Sequence, residues 1–410
     1  MACLWVVWND WAGFFLWLTA WSTISNRAAL YDFSNLYGEG QWWLSRAYLL
    51  PGSHVFSYPF AYPPSSLPLF GLFAQFDFGT AAQLWTGMSL AIFLVALSSA
   101  TYTLKPARRY LFVSIAALLF FTSYALRAEL QLGQINLILA SLTTLSITAH
   151  RSKHSRVSAT LLAVGTLLKG PPVLFLVYFV LFHRDLRYLV HFLESTVAIL
   201  GISLVVVPIQ LYWIWIANVF PTLLVSTALP INESATGAIS GSGLSYLTPA
   251  VFVAGICMFA GFAYRVYRTS LMKLGCPSSV AADAMFLMNS VVVLLLGTRS
   301  WPQDYVWVIL PTALFLSALL IENVKTSYFI VVGLAAFLFN FEPYPIFLYY
   351  LSQYYSITAS IHPYAQILLP TGLIGSLLMA PSLMLLFIRP QAILQHPSNG
   401  QLLPSRLTRK

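Results

Sequence analysis

The sequence predicts an all-α polytopic membrane protein, organised as a single integral-membrane domain over residues 1–410, on three observations. Hydrophobic residues make up 59% of the chain, charged residues only 8%, and the mean hydropathy is +0.77. A water-facing surface needs far more charge than that. Apolar runs recur from the first residues to Ile388, each long enough to cross about 30 Å of hydrocarbon at about 1.5 Å per helical residue, or paired where shorter. The runs are continuously apolar rather than alternating, so the spans are helices and not barrel strands.

A net charge of +9 raises the possibility of a nucleic-acid partner, but the positions of the basic residues argue for topology instead. With the amino terminus inside, the short loops on that side hold Lys105, Arg108, Arg109, Arg151, Lys153, Arg156, Arg184, Arg187, Arg265, Arg268, Lys273 and Lys325. The tail at 389–410 adds Arg389, Arg406, Arg409 and Lys410. Only Arg27, Arg46, Arg127, Lys169 and Arg299 remain for the other face. This asymmetry puts both termini on the cytoplasmic side of a multi-pass protein, and the cell membrane, plasma or inner, is the expected location. The three cysteines, Cys3, Cys257 and Cys276, suggest no disulfide or metal framework. The amino terminus lacks a basic start and a small-residue cleavage site, so the first helix is expected to be retained as an anchor.

A first helix over 4–24 carries the interface tryptophans Trp5, Trp8, Trp11, Trp17 and Trp21, with Asp10 near its inner end. The first outer loop, 25–66, follows. Its stretch FSNLYGEGQWWLSRAYLL has helical spacing with polar gaps, which suits a short helix lying in the interface plane. Prolines 59, 63 and 64 then forbid a helix. Residues 65–77 are short for a span, and helices are expected at about 79–104, 110–126 and 134–149, with a polar outer turn at 127–134.

The apolar run 157–182 is broken by Lys169-Gly170-Pro171-Pro172 and is basic at both ends. Equal signs require an even number of crossings, so two short helices form a hairpin with Lys169 at its outer tip. Helix 188–207 leads to an outer flexible loop at 208–247, aromatic first and then rich in Gly and Ser. Spans near 248–264, 280–298, 305–321, 328–341 and 365–388 bring the count to about twelve, with no internal repeat.

The outer face collects Asp32, Glu39, Arg46, His54, Arg127, Glu129, Lys169, Arg299 and Asp304, delivered from distant parts of the chain. On the sequence alone the inner face shows no comparable mixed-sign set. Individually each residue reads more readily as a solvated interface charge; together they read as a site at one end of a bundle. His54 has no Asp-x-Asp or paired histidine nearby, so no metal ligand set is expected.

Several of these residues lie in an ordered series. Asp32-Phe33, Tyr37-Gly38 and Tyr62-Pro63-Pro64 come first, then Leu84-Trp85, Gly133-Gln134-Ile135-Asn136-Leu137 and Leu168-Lys169-Gly170-Pro171-Pro172. The series resembles the polyprenyl-phosphate-sugar-dependent glycosyltransferases of the GT-C fold, in the family of the bacterial α-1,2-mannosyltransferases, glycosyltransferase family 87. A shorter echo runs from Trp301-Pro302-Gln303-Asp304-Tyr305 to Pro311, where relatives often read His-Tyr.

The resemblance implies a GT-C bundle of about twelve helices with an interfacial helix in the first outer loop. It also implies transfer of a hexose, with mannose the expected sugar, from a polyprenyl-phosphate donor to a glycolipid or glycan on the outer face, with inversion and without a metal or other cofactor. Asp32 would be the general base, since one carboxylate suffices when the leaving phosphate needs no proton. Its alternative role is capping the helix that follows.

Lys169 is the preferred contact for the lipid phosphate, with Arg127 and Arg299 as further cations; the alternative for Lys169 is snorkelling. Gln134 and Asn136 would hydrogen-bond the sugar or bond helix to helix. Tyr62, Tyr58, Trp42 and Trp43 suit a sugar face or an interfacial belt, and His54 completes the candidate substrate contacts. The rival function is a transporter or flippase of lipid-linked sugars, disfavoured because the polar groups gather at one end and no repeat is visible. A scaffold without catalysis is the third reading.

Overall fold

The structure, a computed structural model, describes residues 31–46, 62–223, 234–236, 239, 243–268, 278–297, 300, 302–322, 324–340, 371–388 and 393. Every regular element among them is a helix. The expected first helix at 4–24, the Gly/Ser-rich part of 208–247 for the most part, and the tail beyond 388 apart from Ile393 lie outside the described residues.

The short helix expected in the first outer loop is α1, Tyr31–Leu44. A 3-10 turn, Pro64–Ser66, follows the Tyr-Pro-Pro element and runs into α2, Leu67–Phe73. At seven residues α2 is only about 10 Å long, too short to cross a bilayer. Helix α3, Phe78–Tyr102, starts where the Asp77 carboxylate accepts the Thr80 N–H at 3.0 Å, satisfying one of the free donors of a helix start.

Helix α4, Pro106–Thr122, begins with a proline at its first position, where no N–H is needed. The polar turn expected at 127–134 is instead largely a second helix, α5, Tyr124–Leu132, bent by 60° from α4. Two local signals build it. The Ser123 hydroxyl accepts the Leu126 N–H at 3.1 Å and restarts the helix, and Gly133 closes it in the left-handed conformation at φ 66°.

Helix α6, Asn136–Arg151, and helix α7, Ser155–Leu168, run antiparallel. Lys169 is extended (φ −161°, ψ 120°), and Gly170-Pro171-Pro172 turns the chain into a 3-10 stretch, Pro171–Phe175, and a π stretch, Tyr178–Phe182. A Cβ on Gly165 would stand 3.3 Å from Pro172, so the two arms are in close contact. Lys169 touches Asn136 at the start of α6, while the His183 ring lies 5.0 Å from that of His150 near its end. The expected hairpin is therefore present.

Helix α8, Leu186–Val206, is followed by helical turns over 209–223 that expose Ile209, Trp213, Ile216 and Phe220. The remaining helices are α9, Thr248–Arg268; α10, Ser278–Leu296; α11, Ile309–Ile321, entered through a 3-10 turn at Pro302–Val308; α12, Thr326–Asn340; and α13, Thr371–Ile388. Among the described residues four helices are long and apolar enough to cross a membrane, or five if the bent α4–α5 pair is one span. Five shorter apolar helices accompany them. The expected twelve is thus not reached by length alone.

Burial separates helices that read alike in sequence. Only 11% of the apolar window of α8 is buried, against 83% for α10 and 89% for the segment ending in α11. The former lies at the periphery and the latter two form the core.

The end of the bundle opposite Asp32 corrects one expectation. It holds a buried mixed-sign cluster: Asp283 on α10, fully buried, accepts from Arg108 of α4 and, at 2.7 Å, from Arg151 of α6. Arg108 also donates to Ser317 Oγ at 3.0 Å and to the Leu314 carbonyl at 2.6 Å, and Arg151 donates to Tyr178 Oη at 3.3 Å. Sequence counting treated these arginines as loop charges. Folding turns two of them inward onto one carboxylate, which ties α4, α6, α10 and α11 together.

Candidate active site

The site is built around the fixing of α1. Phe33, Leu36 and Tyr37 are its buried face. The Phe33 ring stacks on Trp85 of α3 at 5.3 Å and 28°, and Tyr37 Oη donates to the Phe76 carbonyl at 2.7 Å. Gly40 allows α1 to lie against α2, since a Cβ there would come within 2.6 Å of the Phe70 backbone. Trp85, 1% exposed, then links α1 to the turn after α5: its indole N–H donates to the Gly133 carbonyl at 3.0 Å. Gly133 in its left-handed turn sends the chain on into Gln134, and Gln134 Nε2 donates to Asp32 Oδ2 at 2.7 Å.

Asn136, 1% exposed at the start of α6, is the hub. Its Nδ2 donates to Gln134 Oε1 at 2.6 Å, to Asp304 Oδ1 at 2.6 Å and, more weakly, to Glu129 Oε2 at 3.2 Å. Its Oδ1 accepts from Lys169 Nζ at 2.7 Å. The other Glu129 oxygen accepts the Leu137 N–H at 2.9 Å, so a carboxyl group from α5 caps the start of α6 and satisfies one of its free donors. Lys169 Nζ also stands 5.8 Å over the ring of Tyr62, which packs edge-on against Phe70 at 5.7 Å.

Three carboxyl groups and one ammonium therefore meet in this network. Asp32 is half-buried, and its pKa is pushed up from 3.8 to about 6. Burial is the main cause and the Asp304 charge adds to it, while the Gln134 hydrogen bond and Lys169 oppose it. At neutral pH such a group is mostly ionised yet readily protonated, which suits a general base. Tyr62 is pushed well above the usual phenol range, chiefly by burial and then by Asp32, Glu129 and Asp304, so its hydroxyl stays neutral.

Of the candidate residues from sequence, Asp32, Gln134, Asn136, Lys169 and Tyr62 come together. Arg127 sits on α5 with its guanidinium 5.8 Å over the Tyr124 ring. His54 and Arg299 lie outside the described residues. Glu129 and Asp304, which the sequence offers as outer-face charges and as the carboxylates next in line after Asp32, join them through Asn136. The available signal was the place of Glu129 four residues before Gly133-Gln134-Ile135-Asn136 and that of Asp304 within Trp301-Pro302-Gln303-Asp304.

Fold and site together define an all-helical integral-membrane protein with a buried acid–amide–lysine centre at one end of its bundle. The sequence profile of glycosyltransferase family 87 matches residues 60–290, more than half of the chain, and the protein belongs to that family. It is accordingly a glycosyltransferase. The matched stretch contains Tyr62, Trp85, Glu129, Gln134, Asn136 and Lys169, while Asp32 and Asp304 lie on either side of it. No curated protein matches the chain.

Proposed function

We propose that the protein transfers a hexose, mannose being the expected sugar, from a polyprenyl-phosphate donor to a glycolipid or glycan acceptor on the outer face of the cell membrane. Asp32 is the general base. The observation that carries this is Asp32 itself: one carboxylate oxygen is held by Gln134, and Oδ1 makes no hydrogen bond among the described residues. In the reaction the acceptor hydroxyl oxygen forms a bond to the anomeric carbon from the face opposite the phosphate. Its proton passes to Asp32 Oδ1 as the carbon–oxygen bond to the phosphate breaks. The leaving polyprenyl phosphate carries away the electron pair, and the sugar inverts.

Lys169 spends one of its three N–H donors on Asn136, and the other two suit a phosphate oxygen. Arg127, Arg299 and His54 are the further substrate contacts in this reading, and Tyr62 offers an aromatic face to the sugar. The topology that accompanies it is a GT-C bundle of about twelve helices with both termini cytoplasmic and the Asp32 end outward. No metal is assigned a step.

The test is transfer of labelled mannose from a polyprenyl-phosphate donor by purified protein in the presence of chelator, comparing wild type with Asp32→Asn. The reading expects transfer or slow donor hydrolysis by the wild type, and neither by a variant that still binds donor. Equal activity in the two proteins overturns the role of Asp32.

A further inference from the structure

The two amides at the centre of the site have a direction that their end groups fix. Lys169 can only donate and an ionised carboxylate can only accept. Asn136 must therefore turn Oδ1 to Lys169 and Nδ2 to Asp304, and Gln134 must turn Nε2 to Asp32. The remaining contact, Asn136 Nδ2 to Gln134 Oε1 at 2.6 Å, then completes an unbroken series of donors running from the ammonium to Asp32 Oδ2.

Both amide side chains are occupied by protein. Gln134 has Oε1 on Asn136 and Nε2 on Asp32, and Asn136 serves four neighbours with one carbonyl oxygen and one amide nitrogen. Little hydrogen-bonding capacity is left in Asn136 for a sugar.

We propose that Gln134 and Asn136 are positioning residues, forming a directed relay from Lys169 to Asp32 Oδ2 that presents Oδ1 as the oxygen taking the acceptor's proton. This rests on the reading of Asp32 as the base. Polarisation along the relay strengthens each bond in it. The same ammonium that anchors the relay also offers its free N–H groups to the donor phosphate, so donor binding and the setting of the base act on one group. The charged and titratable groups that face Asp32 are Lys169, Asp304 and Tyr62, with Glu129 reaching the same network through Asn136.

The test uses Gln134→Leu in the full chain, with kcat and donor KM measured against pH. A misplaced base lowers kcat by up to about 10²-fold. Donor KM should stay within about twofold, because no donor contact is removed. The acid limb of the profile should move to higher pH, since the carboxylate loses a hydrogen bond that favours its charged form. A second measurement needs no substrate: the pH dependence of thermal stability of wild type relative to Asp32→Asn, repeated in the Gln134→Leu background. The pH window assigned to Asp32 should shift upward there.

If Gln134→Leu does not fold, Gln134→Met keeps the side-chain length, removes the donor without adding a charge and should shift both readouts in the same direction. A rise in donor KM with kcat unchanged would mean that Gln134 holds the sugar, and would overturn the proposal. So would an unmoved acid limb or thermal window. Should the wild type transfer no sugar at all, the function fails but the thermal window still decides the relay.

Discussion

Replacing Asp32 with Asn should stabilise the protein at neutral pH while abolishing transfer, and the size of the effect follows from the site. The carboxyl is raised from 3.8 to about 6. Between those values the folded protein binds a proton that the unfolded chain does not, so stability falls as pH rises through this window. Below about pH 4 both states are protonated and Asp32 contributes no penalty. Above about pH 6 the folded state carries the whole of it.

At about 1.4 kcal/mol per unit the shift corresponds to roughly 3 kcal/mol. Asp32 is half-buried, and solvent screening brings this to about 1–3 kcal/mol. Asparagine keeps the shape and removes the charge. For a chain of 410 residues, about 1 kcal/mol corresponds to roughly 1 °C in Tm. The expected gain for Asp32→Asn is therefore about 1–4 °C at about pH 7 and nothing at about pH 4. The assay is thermal unfolding in detergent at both pH values. A gain of equal size at the two, or a loss at neutral pH, would refute the argument that Asp32 is held against its own solvation.

Asp283→Ala leaves Arg108 and Arg151 buried without their shared counter-charge and should destabilise by about 3–5 kcal/mol, read as loss of folded protein in detergent; an unchanged Tm would contradict it. Gly40→Val meets the Phe70 backbone at 2.6 Å, which cannot give way as a flexible side chain would, so α1 should separate from α2 and transfer should fall with it. Trp85→Phe leaves the Gly133 carbonyl without its donor and should cost about 1–3 kcal/mol, with a larger loss in kcat than in donor affinity because the Gln134 turn loosens. Lys169→Met should weaken donor binding and lower kcat together, as the relay and the phosphate contact are lost at once; a change confined to one of the two would assign Lys169 a single role.

By itself the sequence determined the class of protein, the short helix after the first apolar run and the hairpin turning at Lys169, and it singled out Asp32, Gln134, Asn136, Lys169 and Tyr62, which the fold brings together at one end of the bundle. Composition and breaks in apolar runs are local properties, and proline and glycine act on the backbone where they stand. The ordered series of motifs supplied the rest of what was legible. What only the tertiary structure decided is which charges face inward. Arg108 and Arg151 look like loop cations until Asp283 arrives from more than a hundred residues away.

Glu129 looks like part of a polar turn until Ser123 and Gly133 make that turn a helix and aim its carboxylate at the start of α6. Gln134 and Asn136 look free to hold a sugar until Asp32, Asp304 and Lys169 converge on them. The physical reason is the same in each case. A buried polar group is defined by the partner it acquires, and partners distant in the chain meet only when the helices pack.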